Sequence, residues 1–240
     1  MAALGRSELS TRDRALVELV GKFRQMTSKQ IGISLFSSLA SQTPLDRALK
    51  RLVERRYLER LDRLVGGNQG GSAQYVYQLG RAGWKHLRRP GVFWAPRAVN
   101  LHTLAIADCY AELKRREQTG QLELIQFVAE PECHRVVGDV LLTPDAYIEV
   151  GNRPKRIKRT YWLEVDRGTE QLNKIQEKCQ RYWTAYRAWR EEYFPRVFFV
   201  VPDEQRKEVI VRVVSKGPLE ARYLFVTRLL GDACQIRFTD

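Results

Sequence analysis

Several features that mark common classes of protein are missing from this sequence. The cysteines Cys109, Cys133, Cys179 and Cys234 lie far apart, and no pair has the C-x-x-C spacing of a zinc site. The 3 histidines are scattered and support no catalytic pairing. No G-x-x-x-x-G-K-[ST] loop occurs, and no apolar run approaches about 18 residues. These absences argue against zinc binding, P-loop nucleotide hydrolysis and a membrane span.

The first residues, MAALGRSELS, contain no long apolar run of the kind that a secretory signal requires. Widely spaced cysteines are typical of reduced thiols in a reducing compartment. We therefore expect a cytoplasmic protein, associated with the nucleoid and not with a membrane.

Positive charge is abundant but unevenly distributed. The net charge is +13; residues 1–98 hold 18 Lys and Arg against 7 Asp and Glu, whereas residues 99–240 hold 23 against 21. A local excess of cations is typical of contact with nucleic acid, because phosphate neutralisation releases counterions. A membrane surface is less well supported, since residues 1–98 show no basic amphipathic helix with exposed Trp or Phe. We expect two domains, residues 1–98 and 99–240, with DNA contact in the first.

The first domain has the pattern of a winged helix-turn-helix. Helical spacing begins at Thr11, Thr27 and Gln30 form a capping-box motif, and Thr43 is expected to be an N-cap, followed by Pro44 in the first turn. YLERLDRLV and QYVYQL predict two strands on either side of the glycine-rich tip GGNQGGS. Three helices followed by a two-stranded wing define this domain class.

The stretch LDRALKRLVERRYLERL…GGS…YVYQLGRAGWKHL resembles many prokaryotic winged-helix domains. In these the third helix enters the major groove and the wing touches phosphate or the minor groove. The resemblance implies DNA contacts by Thr43, Arg47, Lys50, Arg51 and Arg55 on the helix, and by Arg60 and Arg63 at the base of the wing. The alternative is a winged helix that contacts protein and whose basic face is only solvated, but the local charge excess argues against it.

From residue 99 onward the pattern is helix, three strands, helix and strand, which predicts an α/β layout around a mixed sheet. Asp145 lies in TPDAYIEV, and Glu164 and Asp166 lie two apart in RTYWLEVDRG, on one face of their strand. If the strand with Asp145 is its neighbour, three carboxylates converge. Such oxygen ligands suit Mg²⁺ or Mn²⁺, which can clamp a phosphodiester and activate water.

The pattern TPDAYIEV…YWLEVDRG resembles the PD-(D/E)XK nuclease superfamily, which has a restriction-endonuclease-like mixed sheet flanked by helices. Asp145 and Glu164 match, but Asp166 occupies the position of the lysine that polarises the attacked phosphate. Some members supply this lysine from the following helix, where Lys174 and Lys178 lie. The resemblance implies that these five residues are catalytic and that the three acids bind Mg or Mn. The alternative is an inherited nuclease fold that serves in dimerisation or contacts the DNA backbone.

The whole chain also resembles the replication-relaxation family of plasmids, phages and mobile elements, through PDAYIEV, WLEVDRGTEQLNKIQEKCQRY and a later apolar strand. Members are associated with DNA binding in plasmid maintenance and mobilisation. The resemblance implies a sequence-specific double-stranded DNA-binding protein, an accessory factor in transcription, replication or mobilisation, with other proteins of a DNA-processing complex as candidate partners. We expect a homodimer, because one winged helix contacts few base pairs. The alternative is a Mg-dependent endonuclease that the winged helix targets and that nicks or cleaves DNA.

Two further patterns leave alternatives open. Trp183, Tyr186, Trp189 and Tyr193 recur at helical spacing, which favours a buried stripe or a dimer seam over a stacking platform for single-stranded DNA. The segment NRPKRIKRTY, residues 152–161, holds five basic residues. It is either a second phosphate contact or a solvated hairpin loop.

Overall fold

The computed structural model describes residues 8–64 and 74–230, which form helices, strands and the loops between them. The chain divides into residues 1–107 and residues 108–240, here called unit 1 and unit 2, and the division falls within a helix. The mixed α and β class predicted from the sequence is confirmed. Within the described ranges, no helix has an apolar stretch that could cross a lipid bilayer.

Unit 1 consists of short helices around a three-stranded antiparallel sheet with the strand order β1-β3-β2. Its apolar core includes fully buried leucines of α3 and the Met26 side chain of β1. In chain order the elements are α1 (Thr11–Phe23), β1 (Gln25–Thr27), α2 (Ser28–Leu35), α3 (Thr43–Glu54), β2 (Leu58–Leu64), β3 (Gln74–Leu79) and α4 (Arg81–His86). Both predicted wing strands are present as β2 and β3, and the predicted tip GGNQGGS lies outside the described residues.

Local sequence signals decide where the helices of unit 1 begin. The capping box is confirmed: the amide of Gln30 donates to Oγ1 of Thr27, and the amide of Thr27 donates to Oε1 of Gln30. The prediction that Thr43 is the N-cap of α3 is wrong, because the first helical bond runs from the amide of Asp46 to the carbonyl of Gln42. Thr43 and Pro44 are therefore the first two helical residues, where the missing N–H of proline is harmless.

Buried glutamine side chains connect the sheet of unit 1 to the segment that follows α4. The Gln25 amide donates to the carbonyl of Ala98 at 3.1 Å, and its oxygen accepts from the backbone of Asn100 at 2.7 Å. Gln78 donates to the carbonyl of Pro96 at 2.9 Å. Because buried polar groups need partners, these bonds fix the path of residues 96–100 along the sheet.

Two glycines allow α4 to lie directly against the backbone at the start of β2. The amide of Gly80 donates to the carbonyl of Tyr57 at 2.9 Å. A Cβ at Gly83 would overlap the same carbonyl oxygen. The close approach of α4 therefore depends on the absence of a side chain at Gly83.

Unit 2 is built on a five-stranded mixed sheet with the order β10-β9-β8-β7-β4. β8, β9 and β10 run parallel, and β7 is antiparallel to both β8 and β4. The elements from the end of unit 1 onward are α5 (Leu101–Gln118), β4 (Glu123–Ala129), β5 (Arg135–Val137), β6 (Val140–Leu142), β7 (Ala146–Asn152), β8 (Ile157–Val165), α6 (Leu172–Ala188), β9 (Arg196–Val201), α7 (Glu204–Ser215), α8 (Leu219–Arg222) and β10 (Phe225–Leu229).

The hydrophobic core of unit 2 joins α6 and α7 to the sheet. Ile175 and Tyr182 of α6 and Ile210 of α7 are buried with Phe199 and Val201 of β9. Alternate residues of β9 point to one face of the sheet, which is why Val197, Phe199 and Val201 share this cluster.

Two segments of unit 2 differ from the sequence prediction. The sequence predicts a long helix from Glu170 to about Tyr193, stopped by Pro195, but α6 ends at Ala188. Trp189 is extended and half-buried against the core. The alternation in DVLLTPDAYIEV predicts a strand that carries Asp145, but the stretch is divided into β6 and β7. Pro144 lies between them and has no N–H to donate to a sheet. Of the four aromatic residues predicted as a stripe, Tyr186 and Tyr193 are exposed.

The Gly83→Ala substitution tests the packing of α4. The added Cβ would meet the carbonyl oxygen of Tyr57, so we expect the free energy of unfolding to fall by about 3 kcal/mol, as for an overpacked core. The control is Gly32→Ala in α2, where the new Cβ meets only a movable methyl group of Leu45. Higher helix propensity offsets that contact, and we expect a change within about 1 kcal/mol. Urea unfolding of both variants decides; equal stabilities would contradict the packing described.

Candidate functional site

An exposed cationic face runs along α3, opposite its buried stripe. Leu45, Leu49 and Leu52 point into the core, and Thr43, Arg47 and Lys50 are exposed, along with Arg51. Lys50 makes only a loose surface pair with Glu54, at 3.9 Å. Among the described residues Arg47 has no ion-pair partner. This face therefore presents charges that are not needed for internal pairing.

Arg51 makes an internal contact that the sequence did not predict. Its guanidinium makes a two-pronged contact with Asp13 of α1, Nη2 to Oδ1 at 2.6 Å and Nε to Oδ2 at 3.1 Å. The Asp13 side chain is only 4% exposed, so its charge requires this cation. Arg51 therefore joins α3 to α1 while its side chain stays 45% exposed, and its contact with DNA stays a prediction.

The arginines predicted at the end of α3 and in the wing lie on tyrosine rings. The guanidinium carbon of Arg55 is 5.2 Å from the ring centre of Tyr57, and that of Arg60 is 4.2 Å from Tyr75. The N–H donors of a guanidinium point outward in its own plane, so stacking on a ring does not block them. For Arg63 the structure describes only the backbone pairing with Tyr75.

An acidic site lies where β7 and β8 meet in unit 2. Asp145 immediately precedes β7, and its amide donates to the carbonyl of Leu163 at 2.9 Å. One carboxylate oxygen of Asp145 accepts from the amide of Val165 at 2.6 Å. The antiparallel register, with Ala146 opposite Leu163, sets Asp145 beside Glu164. Both side chains are largely buried, at 9% and 2% exposure.

Helix α6 supplies two partners to Glu164. Lys178 Nζ lies 2.9 Å from Oε2 as an ion pair, and the Tyr182 hydroxyl donates to Oε1. These two residues are one helical turn apart and so face the same strand. Burial raises the pKa of Glu164 to about 7; Lys178 opposes this increase and Asp145 adds to it.

Lys178, and not Lys174, is the helix lysine that reaches the acids. Burial is the largest single effect and would lower the pKa of Lys178, but the contact with Glu164 and the charges of Glu170 and Asp145 together raise that pKa above its ordinary value. Nζ also lies 3.4 Å from Glu170. Lys174, by contrast, pairs with Glu177 on the exposed side of α6.

Asp166 does not join Asp145 and Glu164. One oxygen accepts from Arg206 Nε at 2.6 Å, and the other accepts from the amide of Gly168 at 2.7 Å. Arg206 also donates to the carbonyl of Glu170, so it connects the two ends of the loop between β8 and α6. The expected convergence of three carboxylates is therefore wrong.

The acidic site as arranged does not fit a Mg²⁺ or Mn²⁺ ion. Oε1 of Glu164 accepts from Tyr182, Oε2 faces the Lys178 ammonium at 2.9 Å without a hydrogen bond, and one oxygen of Asp145 accepts from Val165. In the described part of the chain, no group of three or more His, Cys, Asp or Glu side chains is arranged to hold a metal. Mg²⁺ needs carboxylate oxygens together with room for several waters.

Two residues of the site were missed by sequence reasoning. Tyr182 could have been found, since it lies four residues after Lys178 and so shares its helix face. Arg206 could not, because its partner Asp166 is 40 residues away in the chain and no spacing rule connects them. In the basic segment 152–161, Arg153 pairs with Glu123 and Lys158 with Glu149, so at least two of the five cations are engaged.

The substitution Lys178→Met tests the ion pair with Glu164. It leaves a buried carboxylate without its cation, and we expect a loss of about 3 kcal/mol in the free energy of unfolding at pH 8. The loss is smaller at pH 5. In the folded state Glu164 takes up its proton near pH 7, whereas the ordinary pKa of a glutamate is 4.5, and a neutral acid needs no cation. The control Lys174→Met removes a surface pair and is expected to cost below about 1 kcal/mol.

Urea unfolding of both variants at the two pH values measures these losses. A loss for Lys178→Met that is independent of pH, or no greater than that for Lys174→Met, would contradict the electrostatic account of this site.

Comparison with known proteins gives one match. The family model described as replication-relaxation matches residues 17–197, more than half of the 240 residues, and this range includes α3 and the acidic site. Comparisons with curated proteins and with solved structures give no significant match. The family predicted from PDAYIEV and WLEVDRGTEQLNKIQEKCQRY is thus confirmed, and the chain belongs to the replication-relaxation family.

Proposed function

We propose that the protein binds double-stranded DNA through unit 1, as an accessory factor in the replication or relaxation of a mobile element. The observation that carries the proposal is the exposed cationic face of α3, where Arg47 has no ion-pair partner among the described residues and Lys50 makes only a loose surface pair with Glu54. Membership of the replication-relaxation family supports the biological setting. Sequence-specific binding, a cytoplasmic and nucleoid location, and partners in a DNA-processing complex remain predictions.

The topology of unit 1 supports a winged helix-turn-helix assignment. Helices α1, α2 and α3 precede the antiparallel hairpin β2–β3, and β1 adds a third strand to the sheet. In domains of this kind the third helix enters the major groove and flanking cations hold phosphates. On this assignment Arg47 and Lys50 are the primary contacts, Thr43 begins the face, and Arg55, Arg60 and Arg63 flank it. Arg51 acts indirectly, by holding α3 in position.

For unit 2 we propose a role as a rigid platform for dimerisation or for contact with the DNA backbone. The buried acids are neutralised from within by Lys178 and Arg206, as expected of a structural element. Two exposed tyrosines near the end of α6, Tyr186 and Tyr193, suit a seam between two copies. A homodimer would double the number of base pairs contacted.

A Mg²⁺-dependent endonuclease is the second candidate function. It is favoured by one observation: Lys178 lies 2.9 Å from Glu164, which is beside Asp145, so the residue types of the PD-(D/E)XK motif come together with the lysine supplied by α6. The engaged oxygens of Glu164 and the separation of Asp166 weigh against it.

The double variant Arg47→Gln, Lys50→Gln tests the DNA-binding face. Loss of two phosphate-binding cations is expected to weaken binding to a short duplex at least about tenfold at moderate salt. The slope of log affinity against log salt should become less negative by about 1.8, which is 0.9 per contact. Glutamine keeps the helix propensity close to that of the original residues.

The matched control for this variant is Arg212→Gln, Lys216→Gln, which removes the same charge from exposed positions of unit 2. Fluorescence anisotropy over a salt series compares both with the parent chain. An unchanged slope for the α3 variant, or equal changes in the two variants, would refute the assignment of this face.

Plasmid nicking separates the two candidate functions. Supercoiled plasmid is incubated with the parent chain and with Asp145→Asn and Glu164→Gln variants, in Mg²⁺ and in Mn²⁺. Because the acids are engaged internally, we expect no metal-dependent nicking above the level of the variants. Nicking by the parent chain alone would establish the endonuclease and overturn the platform role.

A further inference from the structure

A second cationic feature of unit 1 is a groove between the end of α3, the start of β2 and the start of α4. Its volume is about 540 Å³, within the range of roughly 300–1,000 Å³ that is usual for small-molecule sites. Its lining includes Arg56, Arg60 and Arg81, together with Phe93 and Glu59. Among the described residues, none of the three arginines has an ion-pair partner. Three guanidinium groups against one carboxylate leave two positive charges unbalanced.

Aromatic rings hold two of these arginines in place. Arg81 lies over the ring of Phe93 at 5.3 Å, and Arg60 lies over Tyr75 at 4.2 Å. Stacking occupies the faces of a guanidinium and leaves its N–H groups free to form two parallel bonds to an oxyanion. The donors of the groove are thus oriented before any ligand arrives, which reduces the entropy lost on binding.

Arg56 occupies a backbone position at which glycine is the usual residue. Its amide donates to the carbonyl of Val53, and the amide of Tyr57 donates to that of Leu52, which together form a Schellman motif at the end of α3. Arg56 has φ of 58°, a left-handed conformation that is unfavourable for residues with a Cβ. The sequence therefore places a cation in the groove at a position that glycine would occupy with less strain.

We propose that this groove binds a phosphate monoester dianion of a nucleotide. A phosphate monoester carries close to two negative charges at neutral pH and three acceptor oxygens, which match the unbalanced charge and the donors of the three arginines. The volume leaves room for the attached nucleoside. The phosphate belongs either to a free nucleotide or to the 5′ end of a DNA strand.

The test compares two substitutions of the same kind, Arg56→Gly and Arg88→Gly. Arg88 occupies the equivalent position of a second Schellman motif, at the end of α4, with φ of 51°. It is exposed and does not line the groove. Glycine suits both backbone positions, so each variant should fold with a Tm no more than about 3 °C below the parent.

The probes are deoxyadenosine 5′-monophosphate, measured by calorimetry, and a short blunt duplex with either 5′-phosphate or 5′-hydroxyl ends, measured by anisotropy. We expect Arg56→Gly to weaken binding of a phosphate-bearing probe about tenfold, and Arg88→Gly to leave it unchanged. An effect on the mononucleotide identifies a free nucleotide as ligand, whereas an effect only on the phosphorylated duplex identifies a strand end.

The proposal would be overturned if Arg56→Gly bound the probes as well as the parent does, or if both variants lost affinity equally. It would also be overturned if the parent bound no mononucleotide and showed no preference for a 5′-phosphate. Arg60 lines the groove and also flanks the α3 face proposed to contact duplex DNA, but Arg56, the residue substituted in the test, does not belong to that face. Failure here therefore leaves that proposal intact, and failure of the α3 variant leaves the mononucleotide measurement interpretable.

Discussion

The buried carboxylate of Asp13 requires a cation, and this requirement determines where α3 lies. Arg51 meets the need with two short contacts across 38 residues of chain, so α3 is held against α1 at one rotation about its axis. At that rotation the leucines of α3 point into the core, and Arg47 and Lys50 point into solvent. An ion pair that is internal thus creates the surface that is proposed to meet DNA.

The two units differ in how their cations are used: two cations of unit 2 pair with buried acids, and several in unit 1 are left exposed. In unit 2, Lys178 and Arg206 neutralise Glu164 and Asp166, and both are largely buried. In unit 1, Arg47 on α3 and the three arginines of the groove have no acidic partner among the described residues. These four arginines of unit 1 are therefore available for an external anion, whereas Glu164 and Asp166 of unit 2 are compensated from within.

Sequence patterns that span about four residues predicted many of the helices and strands. Ion pairs between residues far apart in the chain did not follow from the sequence. The capping box at Thr27, the amphipathic α3 and the strands β2, β3 and β8 follow from local spacing. The partners of Arg51 and Asp166 lie 38 and 40 residues away, and only the packed fold brings them together. The choice of Lys178 over Lys174 depends on which face of α6 meets β8, a rotation that helical periodicity alone leaves undetermined. Arg56 escaped notice because glycine is the residue expected in a left-handed helix cap.

The central claim is that α3 of the intact chain lies on duplex DNA. Hydrogen–deuterium exchange with and without a duplex addresses it directly, since a bound helix exchanges its amides more slowly. The account predicts that added DNA slows exchange in residues 43–54 and at the base of the hairpin, residues 58–64 and 74–79, and leaves residues 204–215 unchanged. Slower exchange confined to unit 2, or no change in residues 43–54 under conditions where DNA is bound, would contradict it.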